Sequence, residues 1–237
     1  MNPTMESIPF SRADISPLAF LSEAWARVKD RYWLFLGITA AGLLLGSAAP
    51  LALLLGPMMC GIYLCYRRQA QGLPITFDML FKGFGHFTES FIASLLMLAA
   101  SLVLILPMMM AIFVVIFAGV LSGIAGHGAQ EGIGTLGCLM FAAIFLFVML
   151  GSLLIGVFFT FTYPLILDRG LTGLEAVKLS FRAAHANLGG LLLLALVNAL
   201  LTFAGLLCCY VGALFVLPLT FGTHWICYER VFGIKET

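Results

Sequence analysis

The chain alternates long uncharged apolar runs with short segments that contain its basic residues. Six runs are long enough to predict transmembrane helices, because a hydrocarbon core about 30 Å thick requires about 20 apolar helical residues. The predicted spans lie at about residues 33–49, 51–67, 91–120, 136–167, 188–206 and 209–228. The third and fourth would each reach about 45 Å at 1.5 Å per residue, so they must tilt, kink or extend beyond the bilayer.

An amphipathic stretch precedes each predicted hairpin, at about residues 16–31, 76–89 and 172–187. In all three, apolar positions recur at i, i+3, i+7, i+10 and i+14, which places them in one helical stripe. The stripes are Leu18, Leu21, Trp25, Val28 and Tyr32; Phe77, Leu80, Phe84, Phe87 and Phe91; and Leu174, Val177, Phe181, Ala184 and Leu188. We expect each stretch to lie in the cytoplasmic interface, with its stripe in the acyl boundary and its charges in water.

Helix start signals agree with these three stretches. Ser16 precedes Pro17, Thr76 can cap the second helix, and Thr172 with Glu175 matches a capping box. The sequence therefore predicts an all-α integral membrane fold in a single domain of residues 1–237. Its six transmembrane helices form three hairpins, each preceded by a cytoplasmic interfacial amphipathic helix.

The outer two repeats share a proline followed one turn later by a glycine, Pro57 with Gly61 and Pro218 with Gly222, each expected midway along a hairpin's second helix. Proline kinks a helix and glycine permits close helix contact, so these positions are predicted to meet near the centre of the bundle. Because proline and glycine are common in membrane helices, coincidence is the alternative interpretation. Pro107 predicts a further kink in the long third span.

The distribution of basic residues predicts the orientation. All twelve lie in the termini or in the loops after the second and fourth spans: Arg12, Arg27, Lys29, Arg31, Arg67, Arg68, Lys82, Arg169, Lys178, Arg182, Arg230 and Lys235. By the positive-inside rule that side is cytoplasmic. The first 31 residues also contain acids and no continuous apolar block, so they are not expected to be a cleaved signal peptide. The predicted location is the bacterial inner membrane with both termini cytoplasmic.

Composition excludes several classes of protein. Hydrophobic residues make up 62% of the 237 and charged residues only 10%, which is far from the composition of a water-soluble domain. A net charge of +1 gives no support for a nucleic-acid partner. The six cysteines form no CxxC pair. Cys138, Cys208 and Cys209 are expected near the outer face, where they are either free or joined in a disulfide.

Motifs for catalysis, for a metal or for a cofactor are not present in the sequence, so no such site is predicted. Asn198 and His224 are the notable polar residues inside the spans. A cluster of charged residues is instead predicted at the cytoplasmic ends of the hairpins' second helices, where a carboxylate can pair with a neighbouring arginine. Its members are Arg67, Arg68, Asp168, Arg169, Glu229 and Arg230. Such pairs are either structural locks or part of a site for a headgroup or a partner.

Several short motifs resemble those of uncharacterised multi-pass bacterial membrane proteins that are labelled as domains of unknown function. They are the helix with Trp25, the GxPxxxG-like Gly56, Pro57 and Gly61, the LFKGF stretch at residues 80–84, and PLILDR followed by EAVKLSFR. The resemblance covers most of the chain. It implies a six-span bacterial protein and supplies no catalytic residues.

The function predicted first is a non-enzymatic membrane protein that organises lipid or partner proteins at the cytoplasmic leaflet. The alternative is a transporter or channel for small molecules or lipid, with Pro57, Pro107 and Pro218 as hinges. Membrane lipids are the expected partners, and a protein partner or a second copy of the chain is left open.

Overall fold

The computed structural model describes residues 8–48, 53–124, 130–207 and 211–233. In these ranges the chain is helical without strands, so the predicted all-helical class is confirmed there. The α-helices are α1 (Pro17–Val28), α2 (Tyr32–Ala48), α3 (Leu55–Ala70), α4 (Phe87–Ile124), α5 (Gln130–Phe159), α6 (Thr162–Arg169), α7 (Gly173–Ala186), α8 (Leu188–Leu207) and α9 (Val211–Phe232). Two 3₁₀ helices lie at Lys29–Arg31 and Phe77–His86.

Two compact units make up the fold, where the sequence predicted one domain. Unit 1 comprises Met1–Leu96 and Val157–Thr237, and unit 2 comprises Met97–Gly156. The division follows the packing of the helices, since nearly all buried apolar side chains that the structure describes form one cluster in unit 1. The described apolar side chains of unit 2 are exposed or half-buried, and none of them is fully buried.

Helices long and apolar enough to cross a membrane number five among the described residues, against six predicted spans. They lie at Pro17–Ala48, Phe77–Phe117, Leu139–Arg169, Leu188–Leu207 and Val211–Phe232. The predicted span at 51–67 is not among them, because α3 has only 16 residues, or about 24 Å at 1.5 Å per residue. Nine residues of α3 are buried, so this helix is surrounded by protein.

In unit 1 each of the three stretches predicted to be amphipathic packs on a helix of a different predicted hairpin. Helix α7 packs on α6, the 3₁₀ helix Phe77–His86 packs on α3, and α1 packs on α9. The first of these elements, α1, therefore packs on the last helix, α9. The three packing contacts together form a closed ring. This arrangement brings the C-terminal ends of α3, α6 and α9 together.

Equivalent residues make the contact in each of the three places. Six positions after the start of each stripe stand Ala24, Gly83 and Ser180. Ala24 lies against Gly222, and Gly83 lies against the Pro57 carbonyl and the Gly61 backbone. The third contact is polar, because the Ser180 hydroxyl accepts from the Phe161 amide at 3.2 Å and donates to the Phe158 carbonyl at 2.6 Å.

The N-terminal segment 8–16 makes hydrogen bonds with two parts of the chain that are distant in sequence. The Ser11 amide donates to the Val231 carbonyl at 2.9 Å, and the Ala13 amide donates to the Asn187 carboxamide at 2.9 Å. Asn187 caps the C-terminus of α7. The segment thus joins the end of α7 to the end of α9.

The second amphipathic element differs from the expected α-helix, since Phe77–His86 is a 3₁₀ helix. Its sequence explains the difference. Gly83 and Gly85 weaken α-helix formation, and the contact of Gly83 with Gly61 requires two backbones to touch, which a side chain at either position would prevent.

The predicted span 136–167 is interrupted, because α5 ends at Phe159 and α6 begins at Thr162. Pro164 has no amide hydrogen, so a continuous helix cannot make the bond that this residue would donate. In α6 it stands in the first turn, where no such bond is needed. The Ser180 hydroxyl bonds the backbone on both sides of the break.

Unit 2 is an antiparallel pair of helix segments from α4 and α5. Leu104 faces Gly151 and Val115 faces Gly137, which establishes the antiparallel direction. A cavity of about 250 Å³ between the two segments is lined by Ile112, Val115, Ile116, Phe141 and Ile144.

Candidate membrane-surface site

One large aromatic residue is exposed at the same stripe position in each amphipathic element. Trp25, Phe84 and Phe181 are 49%, 39% and 47% exposed, respectively. Each directly follows the small residue that makes the equivalent packing contact. The three elements therefore present matching aromatic side chains while their backbones are fixed to unit 1.

Opposite these aromatic residues, each element has a buried face that holds it in place. Ala24 and Val28 of α1 are fully buried, as is Leu80 of the 3₁₀ helix and Ala184 of α7. The stripes are consequently split between the two faces, because Val28 and Ala184 point into the protein while Trp25 and Phe181 point out. The sequence predicted that the whole stripe enters the acyl boundary, and close packing on the neighbouring hairpin explains the difference.

Exposed basic side chains lie on or directly beside the elements that present the aromatic residues. Lys29, Arg31, Lys82, Lys178 and Arg182 are all exposed. In the part of the chain that the structure describes, Lys29, Arg31 and Lys178 have no carboxylate partner within 4.0 Å. Lys82 lies 3.8 Å from Asp78 in a solvated pair, and the Arg182 guanidinium lies over the Phe10 ring at 5.9 Å. These cations are available to an anionic surface.

Several acids of the same elements are instead engaged within the protein. Glu175 completes the predicted capping box with Thr172, and the Glu89 carboxylate accepts from the Gly173 amide at 2.6 Å. Glu23 pairs with Arg27 at 2.6 Å. These carboxylates bond helix ends or an arginine. They therefore cancel less of the positive charge of the exposed basic residues than the number of acids in the sequence suggests.

The predicted cytoplasmic cluster separates into two ion-pair groups. In the first, the fully buried Asp168 carboxylate lies 3.2 Å from Arg67 Nε and 3.3 Å from Arg169 Nε, and the Tyr228 hydroxyl donates to it at 2.8 Å. Arg169 also donates to the Phe232 carbonyl at 2.7 Å. One carboxylate thus links α3, α6 and α9, which suits a structural lock.

The second group joins α1 to the end of α9. Glu229 lies 2.8 Å from Arg27 and accepts from the Trp225 indole at 2.6 Å, while Arg230 pairs with Glu23 at 3.1 Å. Arg27 and Glu23 lie outside the predicted cluster. Glu23 and Arg27 lie one helical turn apart on α1, a spacing that favours an ion pair. The prediction of the cluster did not use this signal.

Arg68 belongs to neither group, since its Nε donates to the Pro74 carbonyl at 3.2 Å. The residues predicted as hinges or packing points also lie in different surroundings. Pro57 stands in the first turn of α3, not midway along it, so the described helix loses no bond there. Pro218 lies inside α9 and its carbonyl accepts from the Tyr66 hydroxyl at 2.7 Å. Pro107 lies inside α4.

Gly61 and Gly222 both lie in close contacts, Gly61 with Leu80 and Gly83 and Gly222 with Ala24. That the two Pro–Gly pairs meet near the centre of the bundle stays a prediction. The helices that contain them do meet. Tyr63 of α3 lies 5.6 Å from the Phe221 ring, and Tyr66 bonds the Pro218 carbonyl.

Polar residues within the spans bond neighbouring helices. Asn198 of α8 donates to the Thr223 hydroxyl of α9 at 3.1 Å, and His224 lies 3.5 Å from the same amide nitrogen. Cys60, Cys65 and Cys227 are buried free thiols. Cys208 and Cys209, and the side chain of Cys138, lie outside the described residues, so their pairing stays a prediction.

Metal-binding geometry is absent from the described residues, where no group of three or more histidine, cysteine, aspartate or glutamate side chains could hold an ion. The chain matches no protein-family model, no curated protein and no solved structure. The resemblance to bacterial multi-pass proteins therefore stays a prediction.

Proposed function

We propose that this chain is a non-enzymatic protein of the bacterial inner membrane that organises lipid or partner proteins at the cytoplasmic leaflet. The observation that carries the proposal is the matched exposure of Trp25, Phe84 and Phe181 on three elements of one ring. Aromatic side chains favour the boundary between headgroups and acyl chains. A ring of three such elements would hold the headgroups of the cytoplasmic leaflet in a fixed arrangement around unit 1.

The proposed topology has six spans, with both termini cytoplasmic. The span that adds to the five long apolar helices is α3, the second in chain order. It packs against α2 and has Arg67 and Arg68 in its last turn. Basic residues stand both before α2 and after α3, so the positive-inside rule requires α3 to return across the membrane. Its short length is compatible with this path because protein, not lipid, surrounds most of it.

Electrostatic attraction adds to aromatic insertion in this proposal. A basic residue close to an anionic bilayer contributes about 1 kcal/mol of attraction, and Lys29, Arg31 and Lys178 are exposed without an ion-pair partner in the described chain. Asp30 and Asp78 are exposed nearby and moderate the effect. We therefore expect a preference for anionic lipid of only several-fold.

Lipid analysis of the purified protein tests this proposal. The variant Lys29→Gln, Arg31→Gln, Lys178→Gln removes the unpaired cations and leaves the Arg27 and Asp168 ion pairs intact. We expect it to co-purify several-fold less phosphatidylglycerol and cardiolipin than the parent chain. The control is Arg12→Gln, which removes an exposed cation outside the three amphipathic elements. Unchanged lipid in the triple variant, or an equal loss in the control, would contradict the proposal.

A further inference from the structure

Helix α1 runs beside α9 in the opposite direction. Ala24 of α1 lies against Gly222 of α9. Further along the chain, the Tyr32 hydroxyl donates to the Phe215 carbonyl, and the Trp33 ring lies 6.1 Å from the Phe215 ring. The chain from α1 to the start of α2 therefore follows α9 away from its C-terminal end.

Three charged residues lie between these two contacts, beside the middle of α9. Lys29, Asp30 and Arg31 form the 3₁₀ helix that joins α1 to α2, so they stand next to the part of α9 around Pro218. In the predicted span 209–228, Pro218 is about 15 Å from either end at 1.5 Å per residue. If α9 crosses the membrane, as proposed above, these charges lie near the centre of the bilayer.

The protein leaves these three charges open to their surroundings. All three side chains are exposed, and none of them forms an ion pair within the described chain. Their neighbours Trp33 and Phe215 are also 74% and 39% exposed, as expected for a surface that faces lipid. Lipid tails do not solvate a charge, and a bilayer responds to such a residue by local thinning and by admitting water.

A track of polar side chains connects these charges with the C-terminal end of α9. Arg230 pairs with Glu23 at 3.1 Å, and Glu23 pairs with Arg27 at 2.6 Å. Arg31 follows Arg27 after about one more helical turn. All four side chains are partly or fully exposed. Water and lipid headgroups therefore have a polar path from the end of α9 to its middle.

We propose that this track lets phospholipids exchange between the two leaflets, with Lys29, Asp30 and Arg31 as the site that receives the headgroup. Lys29 and Arg31 bind the phosphate, since charge-assisted bonds to phosphate oxygens are among the strongest hydrogen bonds in proteins. Asp30 binds the ammonium group of phosphatidylethanolamine. The inference rests on the proposed topology, in which α9 crosses the bilayer, and it adds a transport activity to the proposed organisation of lipid.

The position of the site explains why exchange becomes faster. A headgroup held beside the middle of α9 has about 15 Å of hydrocarbon left to cross, which is half of a core about 30 Å thick. Thinning of the bilayer around the three charges shortens this distance further. The barrier to exchange is therefore lower beside α1 than in lipid alone.

A lipid-exchange assay with the purified full chain tests the proposal. The chain is reconstituted in vesicles with a trace of phosphatidylethanolamine that is fluorescent on an acyl chain, and dithionite bleaches the outer leaflet. We expect the parent chain to expose nearly all of the fluorescence to dithionite, whereas vesicles without protein keep that of the inner leaflet. The variant Lys29→Leu, Asp30→Leu, Arg31→Leu should exchange lipid several-fold more slowly. A parent chain without exchange, or a variant as fast as the parent, overturns the proposal.

Two control variants separate charge at this site from other effects. Arg12→Leu, Asp14→Leu removes exposed charges from the segment before α1, which the Ser11 bond to Val231 holds near the end of α9. It should exchange lipid at the parent rate. Lys29→Arg, Arg31→Lys keeps every charge and should also retain exchange. If either control loses as much activity as the leucine variant, the proposal is overturned.

Water accessibility at the same depth gives a second test. Phe203 of α8 is 60% exposed and lies beside the same part of α9, because Gly205 packs against Gly212. Single cysteines are placed at Asp30 and at Phe203 in a chain without native cysteines, and the protein in nanodiscs is treated with a water-soluble thiol reagent. We expect position 30 to react several-fold faster than position 203. Equal rates overturn the proposal, as does reaction at position 30 in a chain that exchanges no lipid.

Failure of this inference is distinguishable from failure of the proposed function. A parent chain that retains anionic lipid on purification but exchanges none between leaflets contradicts only the inference. A parent chain that exchanges lipid, while the variant Lys29→Gln, Arg31→Gln, Lys178→Gln keeps its anionic lipid, contradicts only the proposed function.

Discussion

Ala24 of α1 lies against Gly222 of α9 so closely that a Cβ atom added to Gly222 would stand 3.0 Å from the Ala24 Cβ. The equivalent contact between Gly83 and Gly61 is tighter, because a Cβ on Gly61 would overlap the Leu80 carbonyl. The two glycine positions therefore differ in how well they tolerate an added side chain. At Gly222 a shift of α1 by a few tenths of an ångström relieves the contact, whereas a Cβ on Gly61 would stand 1.9 Å from the Leu80 carbonyl oxygen, so the backbone there must move much further.

Alanine substitutions should reveal this difference in tolerance. We expect Gly61→Ala to lower the free energy of unfolding by about 3 kcal/mol or more, since overpacking against backbone costs at least as much as overpacking a core. Gly222→Ala should cost less. Thermal unfolding in detergent measures both.

Gly85 supplies a control for these substitutions, because nothing lies within 4 Å of a Cβ at that position. Gly85→Ala should leave the unfolding temperature unchanged or raise it. If Gly61→Ala is as harmless as Gly85→Ala, the backbone contact between α3 and the 3₁₀ helix is not formed.

Loss of the Asp168 carboxylate should be more damaging than loss of any other acid in unit 1 that the structure describes. Asp168→Asn leaves Arg67 and Arg169 without their buried counter-charge, which costs about 3–5 kcal/mol of stability. Tyr228→Phe removes one hydrogen bond to the same carboxylate and should cost about 1–2 kcal/mol. Chemical unfolding monitored by tryptophan fluorescence gives both values.

Asp78→Asn is the matched control, since the fully exposed Asp78 carboxylate bonds only surface groups, Thr76 and Lys82, among the described residues, and exposed pairs contribute little. We expect no measurable change in stability. Equal effects of Asp168→Asn and Asp78→Asn would refute the role of Asp168 as the link between three helices.

The orientation is testable with single cysteines in a chain that lacks the native ones. If the basic residues lie on the cytoplasmic side, as proposed, cysteines at Ser7 and Thr237 should be protected from membrane-impermeant thiol reagents in intact cells, and a cysteine at Gly128 should react. Labelling of either terminus before lysis would reverse the proposed topology.

Periodicity explains what the sequence predicted well. The stretches expected at about 16–31 and 172–187 appear as α1 with its following 3₁₀ turn and as α7, because stripes spaced at helical intervals reflect local geometry. The Thr172 and Glu175 capping box is confirmed for the same reason. The Asp168 ion pair with Arg67 was within reach because both residues follow apolar helices on one side.

What the sequence did not predict depends on contacts distant in the chain. The break before α6 was signalled by Pro164, but its position is set by the Ser180 hydroxyl, 19 residues from Phe161. The 3₁₀ form of Phe77–His86 depends on the approach of Gly61 from α3. Likewise, the split of each stripe into a buried and an exposed part follows from which hairpin lies beside it, and spacing along one element contains no such information.

The most direct test of the proposed function is the depth of Trp25, Phe84 and Phe181 in the cytoplasmic leaflet. Three chains are prepared, each with one tryptophan, at position 25, 84 or 181, and with all other tryptophans replaced by phenylalanine. They are reconstituted in vesicles whose lipids are brominated at shallow or deep acyl positions, and a fourth chain with Phe203→Trp serves as the deep control. The account predicts that all three positions are quenched most by shallow bromine and little by a water-soluble quencher, while position 203 is quenched most by deep bromine. Strong quenching of positions 25, 84 and 181 by the water-soluble reagent, without quenching by brominated lipid, would contradict it.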